Sequence, residues 1–159
     1  MRRLLPAAFA LTVLAACQPV TTDLTNEDVG AITDTITAIT DEVLAALSAL
    51  DVDRANAMYS RDCVYTNSGT IMTDWTAIEE QDRAMYGSLQ TASGTWGEEH
   101  VRVLGHDAAV AAMNFSASFT DTAGVQTDME GAATYVFALL DDGWKIVQNH
   151  TSSLPPVTQ

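Results

Sequence analysis

The sequence predicts an α+β domain in which N-terminal helices pack on one face of an antiparallel sheet. Apolar residues recur at helical spacing early in the chain, whereas its second half contains long segments that alternate between apolar and polar residues. Residues that favour turns separate these alternating segments. Helices followed by consecutive antiparallel strands pack together on one side of the sheet, which is the α+β arrangement.

The helices are predicted from their apolar spacing. In the first helix the spacing is three and four residues, and Thr25 and Asp28 supply the pattern of a capping box at its start. A shorter helix is predicted over residues 51–59 and another over residues 73–89. The apolar stripe of the first helix comprises Val29, Ile32, Ile36, Ile39, Val43, Leu47 and Leu50.

The strands are predicted from β-prone runs and from alternation. Two short runs, residues 63–66 and 70–72, flank Asn67-Ser68-Gly69, which suits a tight turn. Four longer strands cover residues 96–104, 108–120, 131–140 and 144–152. The alternation is cleanest in the second of these, where Phe115 lies on an apolar face and Asn114 on a polar one. Such a period of two is typical of a half-buried antiparallel strand.

The first residues have the pattern of an export signal. Arg2 and Arg3 precede an apolar run at residues 4–14 that is too short to span a bilayer. Leu14-Ala15-Ala16-Cys17 then resembles the lipobox of bacterial lipoproteins. The resemblance implies cleavage before Cys17 and acylation of that cysteine, with several acyl chains holding the protein stably on a membrane. Cleavage after an Ala-x-Ala-like site, as in an ordinary secretory signal, is the alternative.

The residues that follow predict where the domain is held. In the Gram-negative sorting rule that the lipobox resemblance implies, Gln18 favours the outer membrane over the inner one. We therefore predict a cell-envelope protein, lipid-anchored on the periplasmic face of the outer membrane. Its predicted parts are a signal peptide at residues 1–16, a lipidated tether at 17–26, one domain at 27–153 and a tail at 154–159.

The charge and the cysteines exclude some partners and linkages. The formal net charge is −14, and two of the seven cations, Arg2 and Arg3, belong to the predicted signal. Nucleic acid and anionic headgroups are therefore poor partners, although solubility or a salty environment explains such acidity as well. Once Cys17 is lipidated, Cys63 has no other cysteine to pair with, so no disulfide is predicted within the mature chain.

The last two strands resemble a known family. Glu130-Gly131 through Thr134, followed by the run from Asp142-Gly143-Trp144-Lys145 to His150-Thr151-Ser152, is similar to the end of SnoaL-like domains of the NTF2-like (nuclear transport factor 2-like) superfamily. Residues 28–153 follow the order of elements in that family. The resemblance implies a strongly curved sheet with the helices on its concave face, forming a cone with an apolar pocket, often in a homodimer.

The resemblance does not imply one activity. Gln148 stands where many members have a histidine, and Ala132 where many have an arginine. The superfamily includes isomerases, polyketide cyclases, dehydratases and binding domains, so function has to be argued from the site.

Asp82 is the first candidate for a functional residue. At 100° per residue it falls in the middle of the apolar stripe of the helix at residues 73–89. A carboxylate there must be paired, hydrogen-bonded or protonated. It is therefore either a pocket acid or base with a raised pKa, or a structural group that faces a polar pocket mouth or pairs with an arginine such as Arg54, Arg61 or Arg102.

His150 is the second candidate. Strand alternation places it on one face with Trp144, Ile146 and Gln148, and the family resemblance implies that this face includes pocket-lining positions. A histidine beside an apolar cavity can move a proton near neutral pH, although many such residues are only structural.

Aromatic residues supply candidate walls for a flat or apolar ligand. Core packing explains most of them equally well, but a tyrosine near the mouth of the cone could present its hydroxyl inward. The predicted ligand-binding residues are Tyr65, Trp75, Trp96, Phe115, Tyr135 and Gln148. No metal site and no cofactor are predicted, because Glu98, His100 and His106 lack a recognisable ligand spacing.

Three functions fit these observations. The first is a lipid-tethered domain that binds a small apolar molecule or partner segment in its pocket. The second is an enzyme of the isomerase, cyclase or dehydratase kind, in which Asp82 or His150 moves a proton. The third is a dimeric interaction protein of the envelope. An acid and a base placed together in the pocket would favour the enzyme over the binding domain.

Overall fold

The computed structural model describes residues 23–154. The predicted signal peptide, Cys17, most of the tether and most of the C-terminal tail lie outside the described residues. The described part is α+β, as predicted. Its elements are α1 (Asn26–Ser48), α2 (Val52–Asn56), β1 (Tyr59–Asn67), β2 (Thr70–Met72), α3 (Trp75–Gly87), β3 (Leu89–Gly105), β4 (Ala108–Asp121), β5 (Gln126–Leu140) and β6 (Gly143–Ser153). None of the helices within residues 23–154 is long and apolar enough to cross a membrane.

The strands form one curved sheet in the order β2-β1-β6-β5-β4-β3. The predicted all-antiparallel sheet is wrong at one position, because β1 runs parallel to β6. This pairing follows from the topology: β1 enters the sheet after the first helices, and the last strand returns between β1 and β5. The sheet is therefore mixed, although every other neighbouring pair is antiparallel.

Helix α1 begins at a capping box and packs against β3. The Thr25 hydroxyl accepts a hydrogen bond from the backbone N–H of Asp28, and the Asp28 carboxylate accepts one from the Thr25 N–H at 2.9 Å, which confirms the predicted start. Farther along, the hydroxyls of Thr37 and Thr40 both donate to the Glu99 carboxylate, each at 2.8 Å. These bonds satisfy a half-buried charge and fix the helix to the edge strand.

The core lies between the helices and the concave face of the sheet. Phe137, Ile36 and Ile146 are fully buried there, together with Ile78 at 2% exposure. The apolar face predicted for β4 is confirmed as the inner face, since Ala109, Ala111 and Met113 are buried and Asn114 is exposed. Burial of this apolar surface is the main favourable contribution to folding.

Irregular pairings occur in several strands, and the one in β6 changes which side chains point inward. In β6, Val147 is an extra residue between the pairs Phe137 with Ile146 and Val136 with Gln148. In β1, Val64 comes five positions after Tyr59, whereas their partners on β6 are only two positions apart, and Tyr59, Cys63 and Tyr65 still share the inner face. The single extra residue in β6 reverses the alternation of that strand, so the residues after Val147 face the side opposite to that expected from a regular strand.

Candidate functional site

A cavity of about 370 Å³ lies between the helices and the concave face of the sheet. Helix α1 contributes Leu44 and Leu47 to one wall, and Met85 comes from α3. The opposite wall comes from the inner faces of β1 and the long strands. It comprises Tyr65, Asn67, Trp96, Phe115, Ser116, Ala117, Phe119, Met129, Ala133, Tyr135 and Thr151, and Leu89 completes the lining.

Aromatic side chains shape the centre of this wall. The ring of Trp96 meets those of Phe115 and Tyr135 edge to face, with centroid distances of 6.5 and 6.0 Å. The Trp96 indole N–H donates to the Thr40 carbonyl at 2.9 Å, which fixes the ring from the side of α1. Rings held in this way supply a rigid surface for an apolar ligand.

Gly131 allows the Phe115 ring to lie where it does. A Cβ atom at this position would be 2.1 Å from the Ser152 carbonyl oxygen and 2.7 Å from a ring carbon of Phe115. Both distances are shorter than any van der Waals contact, so only glycine fits without a shift of the backbone. The lack of a side chain at Gly131 thus lets the Phe115 ring form part of the cavity wall.

Asp82 lies beside a cluster formed by all four tyrosines of the chain. Burial raises the pKa of this carboxyl to about 6, and the nearby Glu79 carboxylate adds to the rise. The Asp82 carboxylate in turn raises the pKa of Tyr59, Tyr65 and Tyr86, after the larger effect of their own burial. Tyr135 is the fourth tyrosine of this cluster.

No cation offsets the Asp82 charge in the described chain. The ion pairs within residues 23–154 join Arg54 to Glu42, Arg61 to Glu79, Arg83 to Asp53 and Lys145 to Asp142. Arg102, the remaining arginine of this part, is exposed. The pairing of Asp82 with Arg54, Arg61 or Arg102, one of the alternatives, is therefore absent from the described residues. A role for Asp82 as a pocket acid or base stays a prediction.

Hydrogen bonds from side chains of β6 hold the tyrosine cluster in place. The Thr151 hydroxyl donates to the side-chain carbonyl of Asn149 at 2.9 Å, and the Asn149 amide donates to the Tyr59 hydroxyl at 3.4 Å. Burial raises the pKa of Tyr135 to about 12, while its hydrogen bond with Tyr59 acts in the opposite direction. Asn149 is 2% exposed, so this network keeps a buried amide satisfied and fixes the phenol groups.

Four of the predicted ligand-binding residues line the cavity: Tyr65, Trp96, Phe115 and Tyr135. The predicted position of Trp75 in the pocket is wrong. Its ring packs into the core 6.2 Å from Tyr59, because α3 begins there and directs its first turn beneath β1.

The predicted inward positions of His150 and Gln148 are wrong. Both side chains are exposed on the outer face, because the bulge at Val147 reverses the alternation of β6 after Ile146. Asn149 and Thr151 take the inward positions instead. A cavity acid or base at His150 is thereby excluded.

Neither Asp82 nor a histidine is among the residues that line the cavity itself. Asp82 is half-buried one helical turn before Met85, which lines the cavity. Glu98 and His100 are exposed on the outer face of β3. Within residues 23–154 no group of three metal-ligating side chains is close enough to hold a metal ion.

Sequence reasoning missed the polar residues of this region. Nothing in the composition of β6 marks the bulge, since it contains neither glycine nor proline near Val147, so regular alternation predicts that Asn149 and Thr151 face outward. The sequence predicts only a turn at Asn67, although this residue is the last of β1 and lines the cavity. Tyr86 could have been found, because it shares the inward stripe of α3 with Asp82.

The fold and cavity define a member of the NTF2-like class. A SnoaL-like domain matches residues 36–157, so this chain belongs to the SnoaL-like family. No curated protein matches the chain.

Solved structures agree on the fold. A protein named as a candidate scytalone dehydratase, from Novosphingobium aromaticivorans, superposes with a TM-score of 0.76 at 11% identity and covers 82% of this chain and 89% of its own. An NTF2-like superfamily protein from Salmonella enterica gives 0.72 at 18% identity, covering 82% and 96%. A candidate dehydratase of the NTF2-like family from Streptomyces avermitilis gives 0.70 at 14% identity, covering 79% and 97%. At these identities the likeness concerns the fold alone.

Proposed function

We propose that this protein binds a small, flat, mainly apolar molecule in the cavity between its helices and the concave sheet face. The observation that carries this proposal is the lining: a cavity of about 370 Å³ walled by rigid aromatic rings, methionines and leucines. Ligand pockets of proteins are typically apolar with a few placed polar groups and measure about 300–1,000 Å³. This cavity therefore suits a molecule near the small end of that range.

The polar groups at the wall restrict what the ligand can carry. Tyr65, Tyr135 and Asn67 can exchange hydrogen bonds with a hydroxyl or carbonyl group. Asp82 lies nearby without a cation, so a negatively charged ligand group would be repelled. The favoured ligand is therefore neutral, with a ring or fused-ring body and one or two oxygen atoms.

A second candidate function is proton transfer on such a molecule. The observation that favours it is the pKa of Asp82 near 6, which suits a general acid or base close to neutral pH. The dehydratase named for one structural relative is consistent with this chemistry. Binding remains the favoured function because no histidine lines the cavity and Asp82 is not on its wall.

We also propose that the domain works at a membrane. The lipobox-like Leu14-Ala15-Ala16-Cys17 supports an anchor on Cys17, and Gln18 supports the outer membrane. Labelling with palmitate tests this: the parent protein should be labelled and sediment with membranes, and Cys17→Ser should be unlabelled and soluble. The homodimer implied by the family resemblance is likewise a proposal, to be tested by the mass of the protein in solution.

The binding proposal is tested with 2-naphthol, a neutral fused-ring alcohol. The full chain should bind it saturably, with a change in tryptophan fluorescence because Trp96 forms part of the wall. Ala117→Met should weaken binding at least tenfold by filling the cavity. Ala132→Met makes the same substitution on the exposed outer face and should bind normally. Equal binding by the two variants would contradict the proposal.

A further inference from the structure

One turn of helix α1 is hydrogen-bonded to two residues of β3. The Glu99 carboxylate accepts hydrogen bonds from the hydroxyls of Thr37 and Thr40, each at 2.8 Å. The Thr40 hydroxyl shares its hydrogen with the Thr37 carbonyl, also at 2.8 Å. The backbone carbonyl of Thr40 accepts a further bond from the indole N–H of Trp96 at 2.9 Å. Thr40 is fully buried, and its two polar groups thus connect Glu99 to a ring of the cavity wall.

A bulge in β3 makes this arrangement possible. Trp96 pairs with Phe115 and Glu99 pairs with Met113, so three steps along β3 match two steps along β4. In a regular strand, residues three positions apart face opposite sides of the sheet. The extra residue in β3 instead directs both Trp96 and Glu99 toward α1, where both are bonded to Thr40. Both side chains therefore contact the same turn of the helix.

A carboxylate in this place contributes direction at a cost in solvation. Glu99 is half-buried, and none of the ion pairs within residues 23–154 includes it. Taking a charge out of water costs free energy that an apolar side chain would not cost. Hydrogen bonds to an ionised group are short and strong, and they need their donors in fixed positions. The arrangement therefore favours a role for Glu99 in positioning over a role in stability.

The position of α1 over β3 determines part of the inner cavity. Leu44, about one turn after Thr40, lines the cavity together with Trp96. Leu44 lies against β3, since a Cβ atom at Gly94 would be 3.0 Å from one of its methyl carbons. A shift of the helix relative to this strand would therefore move Leu44 and release the Trp96 ring at the same time.

We propose that Glu99 is a positioning residue of the ligand cavity. By holding two hydroxyls of one turn of α1, it sets the helix position in which Trp96 and Leu44 form one wall. Glu99 does not itself line the cavity, so it acts through Thr37 and Thr40 and not on the ligand. The inference rests on the binding function proposed above, but the order of the Trp96 ring can be measured without a ligand.

Hydrogen exchange of the Trp96 indole N–H, followed by NMR in the absence of ligand, tests this role. Glu99→Leu fills a similar space but accepts no hydrogen bond, and it should speed this exchange about tenfold. Glu99→Gln keeps a carbonyl oxygen that accepts from the hydroxyls, and its exchange should stay within about twofold of the parent. The indole N–H groups of Trp75 and Trp144 are internal references and should be unchanged in both variants.

Titration of the same proteins with 2-naphthol measures the effect on the cavity. Glu99→Leu should raise the Kd about tenfold, because the wall is no longer held in the shape that binds the ligand. Glu99→Gln should bind like the parent, and so should Glu98→Gln, which changes an exposed carboxylate on the outer face of the same strand. The midpoint of urea unfolding of Glu99→Leu should not fall below that of the parent, since a partly desolvated charge is removed.

Three results would overturn the positioning role. The first is slow exchange of the Trp96 indole N–H in Glu99→Leu, as in the parent. The second is faster exchange of all three indole groups together with a lower unfolding midpoint, which would make Glu99 a structural residue only. The third is faster exchange at Trp96 with an unchanged Kd. Failure of the parent to bind 2-naphthol would contradict the binding function, and the exchange measurement would still decide whether Glu99 holds the ring.

Discussion

The two faces of the sheet are built from the same strands but differ in what they can bind. On the inner face, β4 and β5 present Met113, Tyr135 and Phe137, which are buried or border the cavity. On the outer face the same strands present Asn114 and Ala132, which are small and exposed. Because side chains alternate along each strand, the two faces of the sheet differ in chemistry, and the curvature of the sheet encloses only the inner face. The enclosed face is therefore where a ligand can lose contact with water.

The largest expected difference between the two faces is in the free energy of unfolding, and it is measured at Phe137 and its neighbour Val136. Phe137 is fully buried, so Phe137→Ala should lower the free energy of unfolding by about 3–5 kcal/mol. Val136 is half-buried on the other face, and Val136→Ala should cost only about 1 kcal/mol. Urea unfolding of both variants measures this. Equal losses would mean that the two faces contribute alike to stability.

Gly131 provides a narrower test of the inner face. Gly131→Ala should lower stability by about 1–3 kcal/mol, because its Cβ would collide with a backbone oxygen and with the ring of Phe115. The same substitution at Gly30, where a Cβ meets nothing within 4 Å on an exposed part of α1, should stabilise by up to about 1 kcal/mol. A neutral Gly131→Ala would show that the Phe115 ring is not held as described.

The smallest expected effect concerns Asp82 and depends on pH. Because the pKa of this carboxyl is near 6 in the folded protein and 3.8 ordinarily, its charge opposes folding. That cost is complete above pH 6, decreases as the pH falls and is absent below about pH 4. Asp82→Asn should therefore stabilise the protein at pH 7 by about 1–2 kcal/mol, after allowance for partial exposure to solvent, and by nothing at pH 3.5.

The control for Asp82 is Glu80→Gln, on the exposed side of the same helix. It should change the free energy of unfolding by less than about 0.5 kcal/mol at either pH. Thermal unfolding of the parent and both variants, at pH 7 and pH 3.5, gives the comparison. A destabilised Asp82→Asn would point to an ion pair or hydrogen bond that the described geometry lacks.

The strands β4 and β6 show how far the sequence could predict this site. In β4 the apolar residues alternate without interruption, and each predicted inner residue lies on the inner face. In β6 the same reasoning holds up to Ile146 and then fails, because the bulge at Val147 depends on how β5 and β1 pair on either side of it. Pairing is a tertiary property, and no local preference in β6 encodes it.

The helices were predicted more fully than the polar parts of the site. The position of Asp82 in the apolar stripe of α3 follows from the helical period alone, and it is confirmed by the partial burial of this residue. The buried polar chain through Asn149 requires side chains from strands that are far apart in the sequence. Such a network becomes visible only once the strand register is known.

The most direct test of the binding function is a native mass spectrum of the full chain purified from its own cells. If the enclosed inner face holds a small neutral molecule, the parent protein and Ala132→Met should both carry one added mass of small-molecule size. Ala117→Met, in which the cavity is filled, should carry none. The same added mass on all three proteins, or none on any of them, would contradict the proposal that this cavity is the ligand site.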